Sequence, residues 1–144
     1  MIKRILFLKQ IPLCPDYGQL ALRVILYLPL FLKHGTEKLF TFGQMSQHFP
    51  DPLGIGVVPS LLFAALADGI CTLLLILGLF TRWASFILFV NVFVAWALVH
   101  HFALLGKGND HGELIVLYLG GCVALFFMGA GKYSLDAVLD KQAE

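Results

Sequence analysis

Four apolar runs dominate this chain, each close to the roughly 20 residues that carry an α-helix across the hydrocarbon core of a bilayer. They fall at about residues 17–33, 60–79, 83–105 and 113–128. The 144 residues are 59% hydrophobic and 13% charged, against about 45–50% and 25% in a soluble domain. The expected fold is therefore an all-α integral membrane protein, a single four-transmembrane-helix bundle with the lipid bilayer as its first partner.

The connections are unequal. A tight FTRW turn joins the second and third runs, whereas HGTEKLFTFGQMSQHFPDPLGIGVVP separates the first from the second. Phe40, Phe42, Met45 and Phe49 lie among polar residues there and Pro50 and Pro52 close the segment, which predicts a long amphipathic outer loop at the membrane surface between helices 1 and 2. The N-terminal MIKRILFLKQ is broken by Lys9 too early for a secretory h-region. It reads as an interfacial lead-in whose Lys3, Arg4 and Lys9 suit anionic headgroups.

Lys3, Arg4, Lys9, Arg82, Lys132 and Lys141 would share one face, six cations against three, Lys33, Lys38 and Lys107, on the other. The positive-inside rule then puts both chain ends on the cytoplasmic side of the membrane. A net charge of +1 carries no nucleic-acid footprint. Cys14, Cys71 and Cys122 form no CxxC pair, so they read as inert thiols rather than as a redox motif.

Ionisable groups inside such runs are costly, about 2.5–3.5 kcal/mol each on insertion scales, and they normally face the bundle and find partners. Arg23 comes out about 9 Å inside the first run and Asp68 about 12 Å inside the second from the opposite end, which predicts an ion pair between them. Arg23, Tyr27 and His34 fall within about 20° of one another on a helix. With Asp68, Cys71, Thr72 and Asn91 they would give the bundle a polar interior, Thr72 and Asn91 serving chiefly as interhelical glue. Gly120, Gly121 and Ala124 read as a small-residue packing patch.

The five histidines, His34, His48, His100, His101 and His111, all fall at the outer end. His34, His100 or His101, His111 and Glu113 could ligate a divalent metal, or the imidazoles could hydrogen-bond a quinone headgroup and exchange protons. Neighbouring His100 and His101 point about 100° apart on a helix, so one site would take only one of them. Capping of helix ends is the simpler use, and Glu113 at a helix N-terminus suits it.

The order of HGTEKL, FPDPLGIG, LILGLFTR, VHH, HGELIVLYLGG and GAGKYSLD along residues 18–139 resembles the DoxX family of small bacterial membrane proteins. The family pattern carries a glutamate in the second span where this chain has Asp68, while Arg23, His34, Lys38 and Glu113 fall on matching polar positions. The resemblance implies the membrane subunit of a quinone-linked oxidoreductase system in thiol, sulfur or oxidative-stress metabolism. A partner protein would carry the redox centre, with Arg23, Asp68, His34 and Glu113 in catalytic roles and Tyr27, Lys38 and His101 at the cofactor. The other readings are a non-catalytic adaptor and a small transporter or metal-handling protein. A homodimer would help four helices shield their polar stripe.

Overall fold

Pro15 and Asp16 open the first helix, α1 (Pro15–Leu30), where a proline has no amide to lose and a carboxylate suits the positive end of the dipole. Pro29 sits inside its last turn and deletes one ladder hydrogen bond. The chain then widens into a π-helical turn, π1 (Phe31–Gly35), and resumes as α2 (Thr36–Phe40), with helical dihedrals at each junction. The helix begun at Pro15 thus runs on past residue 33, where its apolar run ends. The computed structural model describes residue 12 and residues 14–104 and 112–143. Lys3, Arg4, Lys9, Lys107, His111 and residue 105 at the end of the third run lie outside the described residues.

After the short α3 (Phe42–Met45), Gly56 at φ +107° turns the chain into α4 (Val57–Ala65), which continues through π2 (Leu66–Cys71) into α5 (Thr72–Leu77). Gly78 ends it in the left-handed conformation, φ +71°, and Phe80 repeats that hand at φ +48° before α6 (Thr81–Val94) and π3 (Ala95–Val99). Then come α7 (Gly112–Met128) and α8 (Leu135–Ala143). The described residues are helical throughout their regular structure, with no strand. Two helices, Val57–Leu77 and Thr81–Val99, are long and apolar enough to cross a membrane, and Gly112–Met128 is apolar but shorter.

α1 packs on α5 and α7, α6 packs on α5 and α7, and a core of Tyr27, Leu30, Leu75, Leu88, Leu119 and Leu125 fills the middle. The outward faces are apolar too: Ile25 is 69% exposed, Trp83 71% and Phe127 75%. Gly121, not Gly120, is the small residue that packing needs. A Cβ on Gly121 would lie 2.7 Å from the Tyr27 hydroxyl, whereas one on Gly120 would meet nothing within 4 Å.

Arg23 does not pair with Asp68. Its guanidinium, 1% exposed, donates to the carbonyls of Ile76 at 2.9 Å, Leu75 at 3.5 Å and Tyr133. The physical reason is local: the αL residue Gly78 stops the helix and leaves carbonyls without intrahelical donors, and a Cβ at Gly78 would strike that guanidinium. Beside it Asp136 accepts from the amides of Phe80 at 2.7 Å and Thr81 at 3.0 Å, capping α6, while its own amide donates to the Gly78 carbonyl at 2.8 Å. Asp16 accepts from the Lys132 amide at 2.8 Å, and Tyr17 stacks on Tyr133 at 4.9 Å. The FTRW turn and the GAGKYSLD segment are thus one clasp, closed by Arg23 and Asp136. Asp136→Ala should lower stability by about 1–2 kcal/mol, as lost helix caps do, read as the thermal midpoint of the chain in neutral detergent, with Asp136→Asn recovering part of it.

Candidate functional site

Each of the three π turns brings polar chemistry to the end of the bundle opposite the clasp. π1 carries His34, π2 carries Asp68, and π3 runs into His100. Such turns shift side chains around a helix and leave carbonyls off the regular ladder, and they recur where proteins build sites. π1 and π2 meet backbone to backbone, because Gly35 has no Cβ to strike the Asp68 carbonyl oxygen. That same carbonyl accepts the Thr72 hydroxyl, which also reaches the Gly69 carbonyl at 2.9 Å.

The carboxylate of Asp68 is held on both oxygens. Lys38 Nζ stands 2.8 Å from Oδ2, both side chains being 10% exposed, and Asn91 Nδ2 donates to Oδ1 at 2.9 Å. The partner of Asp68 is therefore the lysine that the prolonged first helix delivers, in place of the arginine expected from depth alone. Asn91 is more than interhelical glue, since it fixes which way the carboxylate faces. The sequence signal for it is a lone polar residue near mid-depth of the third apolar run.

Two cavities flank this cluster. One, of about 380 Å³, lies between the second and third helices beneath residues 49–55, walled by apolar side chains such as Phe49, Phe63 and Val94. The other, of about 510 Å³, lies among the first, third and fourth helices and includes Lys33, His34, Val92 and Tyr118. Lys38, Asp68, Asn91, Ala95 and His100 line both.

Of the other residues singled out by sequence, Tyr27 is buried beside α7, its hydroxyl donating to the Tyr118 carbonyl at 3.3 Å and touching Cys122 Sγ at 3.4 Å; it lines neither cavity. His101, exposed and at φ +48°, and Glu113, exposed in the first turn of α7, line neither as well. Arg23 belongs to the clasp. His34 and His100 do come together as walls of the larger cavity. Among the described residues no three His, Cys, Asp or Glu side chains form a metal-holding group, and His111, a proposed ligand, lies outside them. Cys71 and Cys122 are buried thiols and Cys14 is an exposed one.

The roof of the smaller cavity is tied by Asp51 of FPDPLGIG. It accepts from the amides of Gly56 at 2.8 Å and Ile55 at 3.1 Å and from the Ser60 hydroxyl at 2.7 Å. The Ser60 hydroxyl, helped by those amides, holds the Asp51 carboxyl below the usual carboxylate range.

Apolar-faced helices enclosing a polar cluster between two cavities define a small helical membrane protein with a polar interior. The chain belongs to the DoxX family, whose model matches residues 18–101; it is accordingly a membrane-associated protein with apolar helices fit to span. Two relatives from Haemophilus influenzae, each described as an uncharacterized protein, are similar to it. The first is 38% identical over 125 residues, covering 81% of this chain and 87% of the relative. The second is 29% identical over 117 residues, 77% and 76%. No solved structure matches.

Two outcomes test this geometry. A carboxylate depressed on folding stabilises above the ordinary carboxylate range and ceases to do so as pH falls through its lowered value. Corrected amide-exchange protection at residues 54–56 should therefore drop below about pH 4 in the wild type and stay flat with pH in Asp51→Asn. At the ion pair, Asp68→Leu should cost about 3–5 kcal/mol by stranding a buried lysine, and Lys38→Met/Asp68→Leu should recover most of it, both read by thermal unfolding in detergent.

Proposed function

We propose that this protein is the membrane subunit of a quinone-linked oxidoreductase system in thiol, sulfur or oxidative-stress metabolism, and that the smaller cavity is its quinone-headgroup site. The observation that carries the reading is an apolar cavity of about 380 Å³ onto which Lys38, Asn91 and His100 converge. A small number of polar groups in an otherwise apolar cleft of that size is what small-ligand sites look like. A quinone ring is flat and apolar with two acceptor oxygens, and the donors present fit it: the Lys38 ammonium, the Asn91 amide and the His100 imidazole would hold those oxygens.

When bound, the quinone would supply two-electron, two-proton redox chemistry, with electrons delivered by a partner protein that carries the redox centre. Within this chain, Asp68 keeps Lys38 aimed, Asn91 keeps Asp68 from turning, and His34 and His100 would relay protons. The larger cavity, walled by both imidazoles, gives such protons a wet side away from the apolar ring.

The membrane reading becomes finer in the same way. We infer four spans in a bacterial inner membrane, supported by the ring of contacts among α1, α5, α6 and α7 and by exposed apolar side chains on all four, such as Ile25, Leu73, Phe86 and Leu117. Residues 36–56 form the outer segment between the first two. Arg82 and Lys132 gather at the clasp end, supporting a cytoplasmic placement for it and for both chain ends. An adaptor role has one supporting feature, the exposed Leu135, Val138 and Leu139 on one face of α8.

Lipid extracts of the purified chain should contain quinone at about one per chain, by analogy with other pre-formed sites. Asn91→Leu should lose at least tenfold of it, an order set by removing one buried hydrogen-bond partner. Retention of quinone and of full activity in the partner complex by the folded Lys38→Met/Asp68→Leu protein would sink the proposal and favour the adaptor.

A further inference from the structure

The two cavities share one polar wall but differ in the rest of their lining, so the proposed quinone chamber accounts for only one of them. The larger cavity differs in chemistry as well as place. Its ionisable lining is Lys33, His34, Lys38, His100 and a single carboxylate, Asp68. That carboxylate already takes an ammonium on one oxygen and an amide on the other, so its charge is spent within the wall. What the cavity turns toward a visitor is therefore donors: the Lys33 ammonium, the His34 imidazole and the Tyr118 phenol. At the other side of the same space lie Leu30, Leu114 and Ile115.

We propose that this cavity is a second binding site, taking the phosphate group of an anionic amphiphile, an acidic phospholipid, whose glycerol and upper chain lie against the apolar side. Three arguments converge. A donor-rich lining with its one acceptor neutralised is complementary to an acceptor-only anion, and charge-assisted hydrogen bonds to phosphate oxygens are the strong ones. The volume, about 510 Å³, exceeds what a bare oxyanion fills and suits a headgroup with part of its chain. The location, with exposed Lys33 of the first helix and Leu114 of the fourth on its rim, gives a lipid lateral entry. The same chemistry would accept free phosphate, so the two sources are separated by experiment.

The full chain in neutral detergent is titrated with phosphatidylglycerol, with phosphatidylcholine and with inorganic phosphate, while binding is followed by native mass spectrometry and by the thermal midpoint. Expected is one retained phosphatidylglycerol per chain, a raised midpoint, and little effect of phosphatidylcholine. Lys33→Gln/His34→Gln should weaken the binding by about tenfold or more, in line with the loss of charge-assisted bonds. Lys141→Gln, at the far end of the molecule, should leave it unchanged. Lys33 is exposed, so Lys33→Glu gives a second variant whose fold is preserved and whose binding should be weaker still. Inorganic phosphate that displaces the lipid at millimolar concentration and itself raises the midpoint would support the anion site and reassign its source to solution. Equal uptake of both phospholipids, or uptake untouched by all three cavity substitutions, overturns the proposal. Quinone content of the same preparations is read in parallel: it should persist in Lys33→Gln, so failure here is distinct from failure of the quinone reading.

Discussion

The tie between Lys38, Asp68 and Asn91 is the constraint on which the interior depends. It joins three helices through a single carboxylate, and it stands where each isolated charge would otherwise be expensive. Pairing alone would not keep it in place, because a buried ion pair rarely repays its own desolvation. Backbone geometry does the rest: Gly35 lets π1 approach π2 at the Asp68 carbonyl, and that approach sets the lysine of α2 above the carboxylate. The site is therefore a property of helix–helix distance as much as of charge.

The molecule divides its polar residues between two ends with separate purposes. At one end Arg23, Asp136, Asp16 and the αL residue Gly78 satisfy helix termini and bind the last segment to the bundle. These groups touch backbone carbonyls and amides, the partners expected of capping residues. At the other end His34, His100, Lys38, Asp68 and Asn91 line a cavity, and Lys38 and Asn91 are tied to Asp68 side chain to side chain. Both ends are rich in motifs of the DoxX pattern, so motif density alone does not separate scaffolding from site. What separates them is whether the polar side chains bind backbone at helix ends or line a cavity.

Three π turns at one level give the chamber its shape. Pro29 accounts for the first, since the deleted ladder bond lies just before the widening. For the second and third the sequence LADGIC and AWALV offers no proline, and we have no local physical cause for them beyond the close packing they serve. Their effect is plain: each rotates a polar side chain out of the regular helical register, and periodicity computed on a uniform 3.6-residue helix misplaces every residue beyond it. Arg23 and Tyr27 precede the first widening and lie inside the regular α1, so depth separates them: at about 1.5 Å per residue Arg23 reaches the clasp, Tyr27 the core, and only His34, in π1, a cavity.

Composition and apolar run length by themselves determined that this chain is helical and membrane-associated, since lipid admits only helices and closed barrels and continuous apolar runs of about 20 residues suit a helix rather than a strand. The motif order named its family and, through that resemblance, marked Lys38, while residue chemistry singled out Asp68, His34 and one of the two adjacent histidines. Tertiary structure alone decided the pairing. Whether Asp68 meets Arg23 or Lys38 depends on how far the first helix continues past its apolar run and on which carbonyls Gly78 leaves bare, and neither is encoded in hydropathy. Choosing His100 over His101, and dividing the polar interior into two cavities of different character, needed the same information, because a change of a few ångströms between helices reverses which group is a wall and which is a cap.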